Sequence, residues 1–314
     1  MRNAFSSELT ALAAEDARIT LLSGDIGNRQ FDAFKANYPT RFFNCGVAEA
    51  NMVTVAAGMA LCGLRPVTYT IASFMTMRCF EQIRIDVCYH NVPVILVGVG
   101  AGLAYAANGA THHACEDLAC IRALPNMTII CPGDAFEVRA ALRAALKHPG
   151  PVYLRLGKKG EPVVHTSVPA FTIGQGIILR PGREVALLST GNLLPVAVQA
   201  ADQLEAHGLS TQLVSMPTVK PLDVDLLAEV FATCRVVATI EEHSIIGGLG
   251  GSVAEWQADQ PTPGGRLIRI GTADHFLHEA GEQAYAREHF GLTPERIVER
   301  ILTCFARTLQ SRND

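Results

Sequence analysis

The first half of the chain alternates short apolar runs with longer segments whose apolar residues recur at helical spacing. The runs predict buried strands, because a strand covered on both faces is apolar throughout. They lie at 19–25, 65–71, 93–100, 127–133 and 151–157. The other segments predict helices at 4–16, 76–90, 114–123 and 134–147, with a short strand and then a helix in 41–63. This alternation predicts a parallel sheet with helices on both faces.

A second pattern of the same kind follows a segment without clear period. Residues 158–176 carry Pro162 and Pro169, and we place a linker at 161–176. The later elements are strands at 184–192, 210–223, 234–243 and 266–271 and helices at 194–207, 224–231, 252–258 and 294–308. The sequence therefore predicts the α/β class, with two doubly wound, mainly parallel domains at 1–160 and 177–314.

Composition narrows the class of protein. The 314 residues are 49% hydrophobic and 18% charged, which favours a large core over disorder. The net charge of −4 argues against a nucleic-acid or anionic-membrane partner. No apolar stretch reaches the roughly 20 residues of a membrane span, and the start does not resemble a signal peptide. Nine cysteines without a CxxC pair are typical of a reducing compartment, so we expect a cytoplasmic protein.

The most informative motif is CGVAEANM at 45–52, where Glu49 begins a helix of small and apolar residues. Glu49 could be a solvated carboxylate stabilised by the helix dipole. The helix that follows is too apolar to face water, however, and a buried carboxylate needs a partner. From spacing alone, a structural and a functional Glu49 remain equally open.

This motif resembles the transketolase segment in which a glutamate binds the pyrimidine of thiamine diphosphate. The resemblance continues, in order, through 72–86, 108–142, 217–223 and 239–250. It implies a pyrimidine-binding domain followed by a transketolase C-terminal domain, as in the C-terminal subunit of a split-chain transketolase. It also implies that Glu49 hydrogen-bonds the pyrimidine and promotes proton removal from the thiazolium ring. The implied reaction transfers a two-carbon ketol unit from a ketose to an aldehyde.

The segment 72–86 supplies further cofactor-binding candidates. Phe74 follows a predicted strand, at the sheet edge where ligands usually bind. By resemblance Phe74 stacks on the pyrimidine, and Met75 is the alternative because the full-length family is spaced differently here. Arg78 and Phe80 are also cofactor-binding candidates, although the helical pattern by itself places Phe80 inside the core.

Two histidines in GATHHACED provide the candidate substrate groups. A zinc site is disfavoured because HHxC is too local and no second ligand pair follows. By resemblance His112 is catalytic and contacts the donor's hydroxyl and carbonyl oxygens, and His113 is a weaker substrate-binding candidate. Asn108 and Lys158 are also substrate-binding candidates, with Lys158 at the place of a phosphate-binding arginine or, alternatively, in a solvated linker.

The loop that holds these residues departs from microbial transketolases. Gly100 and Asn108 stand where that group has a histidine and an aspartate that contact sugar hydroxyls and the acceptor phosphate. Two-carbon chemistry survives this change, but the usual pentose-phosphate substrates do not follow. The departure suggests, as a hypothesis, an unusual or unphosphorylated acceptor.

The resemblance also implies a partner chain. The family's magnesium–diphosphate motif is GDG followed by Asn, and SGDIGN at 23–28 imitates it with Ile26 in the third place. We expect that stretch to be a loop and no residue of this chain to bind metal. Mg²⁺ and the diphosphate would be held by an N-terminal transketolase-like subunit carrying the GDG site. We therefore expect activity only in a heterotetramer with two copies of each chain.

Two other interpretations remain. Beta-type subunits of 2-oxo-acid decarboxylating dehydrogenases and deoxyxylulose-phosphate synthase have the same layout, although the 100–113 loop is closer to transketolase. A non-catalytic scaffold subunit with a decayed site is the second, and the presence of Glu49 and His112 argues against it. The sequence does not determine the donor, the acceptor or the pathway.

Overall fold

The computed structural model describes residues 1–27, 29–262 and 264–310; Asn28 of the GDG-like stretch, Pro263 and residues 311–314 lie outside the described residues. Within these ranges the chain forms two sheets, each with helices on both sides. The first sheet has the order β10-β5-β6-β4-β3-β1-β2. Its strands are β1 Ile19–Ser23, β2 Phe42–Asn44, β3 Arg65–Ile71, β4 Ile95–Val99, β5 Thr128–Ile130, β6 Val152–Leu156 and β10 Thr218–Lys220.

The second sheet has the order β12-β11-β8-β9-β7. Its strands are β7 Ile177–Arg180, β8 Val185–Thr190, β9 Thr211–Ser215, β11 Val236–Ser244 and β12 Arg266–Thr272. All strand pairs in both sheets are parallel except β10 with β5 and β7 with β9. The predicted α/β class with mainly parallel sheets is confirmed.

Helices cover both faces of the first sheet. As a result, β1, β4 and β6 are buried along their whole length. The helices of the first half are α1 Arg2–Glu15, α2 Asp32–Asn37, α3 Glu49–Leu61, α4 Phe80–Gln82, α5 Asp117–Arg122 and α6 Ala135–Lys147. One core lies under α1 and α6, around Phe5 and Leu142. A second core lies under α3 and α5, around Met52 and Leu118.

The second half adds α7 Leu194–Ala206, α8 Val224–Thr233, α9 Leu249–Ala258, α10 Gln283–His289 and α11 Pro294–Gln310. None of the helices in the described ranges combines the length and apolarity needed to cross a membrane. The amphipathic helix α11 packs on the second sheet through Ile297, Ile301 and Phe305.

Several elements differ from the sequence prediction. The run 210–223 splits into β9 and β10, and β10 crosses to pair with β5 of the first sheet. Helix α9 begins at Leu249 rather than at 252, because the buried carboxylate of Glu241 accepts the backbone N–H groups of Leu249 at 2.7 Å and Gly250 at 2.8 Å. The predicted helix 76–90 is a composite in which π-helical turns at Phe74–Arg78 and Ile83–Tyr89 flank α4.

Candidate active site

Glu49 begins α3 near the carboxyl ends of β1 and β3. The apolar face of the helix, which includes Met52, Val53 and Ala56, packs into the core. This packing keeps the first turn of the helix from facing solvent. Glu49 is only 4% exposed. Gly24, just after β1, lies against Glu49: a Cβ there would be 3.4 Å from Glu49 Cγ, an ordinary contact, and 3.1 Å from Thr70 Oγ1 on β3. The predicted burial of this carboxylate therefore arises from both the helix and the neighbouring strand.

Three further side chains connect Glu49 to the histidine loop. Arg78 Nη1 donates to Glu49 Oε1 at 3.1 Å, and the same guanidinium lies 3.8 Å above the ring of Phe74. The Phe74 and His112 rings meet edge to face with centroids 5.2 Å apart. The structure thus brings together four predicted site residues in the order Glu49, Arg78, Phe74, His112.

A pocket of about 680 Å³ opens beside this row. Its lining comes from the segment after β3, from the histidine loop, from α5 and from the second half of the chain. The lining residues are Ser73, Phe74, Met77, Arg78, Ala110, Thr111, His112, His113, Glu116, Cys120 and Phe276. An aromatic ring and a buried carboxylate beside a pocket with two imidazoles can hold a planar heterocycle and move protons at its edge.

The histidine loop is fixed to the segment after β3. Ser73 Oγ donates to the carbonyl of Thr111 at 3.2 Å, and Thr111 Oγ1 lies 2.9 Å from His112 Nδ1. Residues Ala110–His112 form a 3₁₀ turn, which leaves His112 half-buried at the pocket. These contacts hold His112 beside Phe74.

His113 lies deeper than His112. It is 8% exposed, and its Nε2 has no hydrogen-bond partner among the described residues. Burial lowers the pKa of His113, so the imidazole is neutral at neutral pH. The other ring nitrogen hydrogen-bonds the Ala106 backbone, which leaves Nε2 as a hydrogen-bond acceptor. An unpartnered polar atom beside a cavity is suited to meet a ligand.

The other predicted site residues lie outside the lining of this pocket. Met75 is fully buried, with its sulfur 3.9 Å from Thr68 Oγ1, and Phe80 packs against the core under α3. Asn108 is exposed at the end of a 3₁₀ turn. Lys158 follows β6, where its carbonyl lies 3.5 Å from the amino terminus of Met1.

Sequence reasoning missed several lining residues. Glu116 stands at a helix start, where an acidic residue needs no functional explanation, yet it is half-buried, and burial together with Asp117 raises its pKa. Phe276 comes from the loop after β12, and no local pattern connects it with the histidine loop. Met77 and Cys120 also line the pocket and carried no signal beyond helical spacing.

A buried ion pair anchors the histidine loop beneath the pocket. Arg155 Nε donates to Asp117 Oδ2 at 2.8 Å and Nη2 to Oδ1 at 3.1 Å, and both side chains are inaccessible to solvent. Nη2 also donates to the carbonyls of Ala114 at 2.8 Å and Glu242 at 3.0 Å. One guanidinium therefore joins β6, α5, the histidine loop and β11.

Glu242 forms a second anchor between the two halves. Its buried carboxylate accepts hydrogen bonds from the Leu103 N–H at 2.8 Å, Asn192 Nδ2 at 3.0 Å and Gln283 Nε2 at 2.9 Å. Arg287 Nε donates to the same carboxylate at 2.5 Å. The second half thereby fixes the start of the loop that carries both histidines.

The described residues contain no group of three or more His, Cys, Asp or Glu side chains that could hold a metal ion. In the described part of the GDG-like stretch, Asp25 Oδ1 accepts a hydrogen bond from Asn44 Nδ2 at 2.8 Å. Ser23 Oγ donates to the Ile26 carbonyl at 2.7 Å, which closes a turn after β1.

Comparison with known families finds two matches along the chain. Residues 1–161 match the family described as transketolase, pyrimidine binding domain, and residues 174–297 match transketolase, C-terminal domain. Together the two matches include both sheets and all the residues of the candidate site.

Individual relatives agree with these matches. A Methanocaldococcus jannaschii protein described as a transketolase C-terminal section is 35% identical, over 96% of this chain and 95% of its own length. A solved structure described as a split gene transketolase, inactive beta4 tetramer, superposes with a TM-score of 0.88 at 36% identity, covering 97% of each chain. The 1-deoxy-D-xylulose-5-phosphate synthase 1 of Geobacter metallireducens is 37% identical over 95% of this chain but 48% of its own length.

Proposed function

The chain belongs to the transketolase family, as its pyrimidine-binding and C-terminal part, and we propose that it is one subunit of a thiamine-diphosphate-dependent transketolase. In this proposal the enzyme transfers a two-carbon ketol unit from a ketose or ketose phosphate to an aldehyde acceptor. The observation that carries the proposal is Glu49, a carboxylate buried at the start of α3 and connected through Arg78 to the pocket that holds Phe74 and His112.

The residues present fit the aminopyrimidine end of the cofactor. Arg78 occupies one lone pair of Glu49 Oε1, and a carboxylate has further acceptor sites for a ring nitrogen. Phe74 offers an aromatic face at the same pocket. Of the two stacking candidates, Phe74 is favoured because Met75 is enclosed in the core. Arg78 keeps both Glu49 and Phe74 in place.

The bound cofactor would supply a carbanion that adds to the donor carbonyl and accepts electrons when the carbon–carbon bond breaks. Glu49 would hold a proton at the pyrimidine nitrogen, where burial keeps water from competing for it. His112 would contact the donor's hydroxyl and carbonyl oxygens and exchange protons with them. His113, deeper in the pocket, would hydrogen-bond a substrate hydroxyl.

We propose domain limits of 1–160 and 177–314, with a linker at 161–176. The family matches end at 161 and resume at 174, and the described residues form no helix or strand between Leu156 and Ile177. The linker would allow β10, from the second half of the sequence, to reach the edge of the first sheet.

A partner chain is part of the proposal. The diphosphate requires Mg²⁺ with oxygen ligands, and the described residues contain no group suited to a metal. Apolar side chains are also exposed just before α3 and along it, with Val47 74% exposed and Val55 39% exposed. We propose that an N-terminal transketolase-like subunit with a GDG site covers this surface, in a heterotetramer with two copies of each chain.

The location of the complex is also part of the proposal. Because each of the nine cysteines of this chain is free, we place the complex in the cytoplasm.

The test is to reconstitute the complex with that partner, thiamine diphosphate and Mg²⁺, and to follow ketol transfer from hydroxypyruvate to an aldehyde. Glu49→Gln should abolish turnover, whereas Glu8→Gln should not. Glu8 is a matched control, since it is also buried and paired with arginines, at 3.1 Å and 2.6 Å, but belongs to α1 outside the pocket. Full turnover by Glu49→Gln would favour a scaffold subunit, and robust turnover by this chain alone would refute the need for a partner.

The second candidate is a deoxyxylulose-phosphate-synthase-like or 2-oxo-acid-decarboxylating enzyme, favoured by the similarity to the Geobacter metallireducens synthase. The same complex can be offered pyruvate in place of hydroxypyruvate. Preference for pyruvate, measured as a higher kcat/KM, would establish this candidate instead of ketol transfer.

A further inference from the structure

A smaller cavity of about 290 Å³ adjoins the pocket that holds Phe74 and His112. The two cavities share three lining residues, His113, Glu116 and Phe276. The smaller cavity lies between the histidine loop and the loop that follows β12. Its other lining residues are Leu103, Cys115, Ser244, Thr272, Ala273, Asp274, His275, Leu277 and Phe290.

The polar groups of this cavity suit hydroxyls. His113 presents a buried Nε2 that has no hydrogen-bond partner among the described residues. Glu116 and Asp274 provide carboxylate acceptors, and Ser244 provides a hydroxyl. A volume of 290 Å³ is far above the roughly 30 Å³ of one water, so several carbon atoms can enter.

The charges of the cavity disfavour phosphate. As formed by the described residues, its lining contains two carboxylates, Glu116 and Asp274, two imidazoles, His113 and His275, and neither lysine nor arginine. Phosphate groups in proteins are usually met by arginine, lysine or helix N-termini, and carboxylates repel them. A neutral polyol avoids this repulsion and can satisfy the same carboxylates by donating hydrogen bonds.

We propose that this cavity, between the histidine loop and the Asp274–Phe276 segment of the second half, binds the distal, uncharged and hydroxylated end of the sugar acceptor. His113 is its hydrogen-bonding residue, and Phe276 is the wall that the sugar chain passes. The inference rests on the proposed ketol transfer, and it makes the C-terminal part of the chain a determinant of acceptor specificity.

The experiment measures kcat/KM in the reconstituted complex with hydroxypyruvate and three acceptors: glycolaldehyde, D-erythrose and D-erythrose 4-phosphate. Glycolaldehyde has only two carbon atoms, so it lacks the distal hydroxylated end that the cavity would bind. His113→Ala should lower kcat/KM for D-erythrose about tenfold more than kcat/KM for glycolaldehyde, with the difference mostly in KM. His113→Gln, which keeps polar atoms, should recover part of the loss. The wild-type complex should prefer D-erythrose to its phosphate.

A gain of function gives a second readout. Phe276→Lys should raise kcat/KM for D-erythrose 4-phosphate several-fold by adding a cation at the cavity. Ile178→Lys is the matched control, since Ile178 is an apolar residue 51% exposed on β7, and should change nothing. Equal losses with all acceptors in His113→Ala, or a wild-type preference for the phosphate, would overturn the inference while leaving ketol transfer in place. Absence of transfer to every acceptor would instead overturn the proposed function, and the inference with it.

Discussion

Replacing Arg155 by methionine tests how strongly the buried ion pair holds the histidine loop. The substitution keeps an unbranched apolar chain and removes the guanidinium. Asp117 is then left without its bidentate partner in a place that is fully inaccessible to solvent. The carbonyls of Ala114 and Glu242 also lose their donor.

The structure suggests the size of the effect. Removing one partner of a buried ion pair costs about 3–5 kcal/mol, because the remaining charge is uncompensated. The double variant Arg155→Met/Asp117→Leu removes that charge, so it should lose less than the single variant. It should remain less stable than wild type, since the Tyr153 hydroxyl, which donates to Asp117 Oδ2 at 2.7 Å, loses its acceptor.

The assay is urea unfolding of the purified chain at pH 7, followed by far-ultraviolet circular dichroism and tyrosine fluorescence. Arg18→Met is the control: Arg18 makes a comparable bidentate contact with Asp16, at 2.8 Å and 3.0 Å, but is 57% exposed. It should change the free energy of unfolding by less than about 1 kcal/mol. A loss below about 1 kcal/mol in Arg155→Met, or a double variant less stable than the single one, would refute this reasoning.

Three further predictions concern single positions. Burial lowers the pKa of His243 to about 4, so the unfolded chain binds its proton more tightly, and this histidine should cost about 3 kcal/mol of stability as pH drops from about 6.5 to 4. Burial raises the pKa of Glu241 to about 7, which acts in the opposite direction, so the test compares urea titrations of wild type and His243→Gln at several pH values: the variant should lose less stability, or gain more, on acidification, and an identical slope would contradict this. Gly102→Ala should lower the free energy of unfolding by at least about 1 kcal/mol, since φ is +58° and a Cβ would lie 2.3 Å from the Glu242 carbonyl oxygen. A variant as stable as wild type in urea unfolding would argue against this contact. Phe74→Ala should weaken thiamine diphosphate binding to the assembled complex roughly tenfold by calorimetry, and an unchanged Kd would exclude stacking at this ring.

Much of the fold was predictable because burial leaves a local record in the sequence. Strands buried on both faces are unbroken apolar runs, so β3 was placed at 65–71 with the bounds that the structure has. Helix α3 is rich in small and apolar residues, which correctly indicated that the carboxylate at its start is buried. The domain limits and the roles of the site residues stay predictions.

Other features left no local record. The strand β10 is only three residues long, Thr218–Lys220, and pairs across a register shift, so its sequence could not reveal which sheet it joins. The buried state of Asp117 depends on Arg155, and the second cavity on Phe276, each distant along the chain. Periodicity reports how one segment faces its surroundings. The sequence by itself therefore determined most of the buried strands, the longer helices and the burial of Glu49. Only the tertiary structure decided which side chains from distant parts of the chain contact Glu49 or line the cavities. Charge pairing and cavity shape depend on distances in space, which the spacing of residues along the chain does not contain.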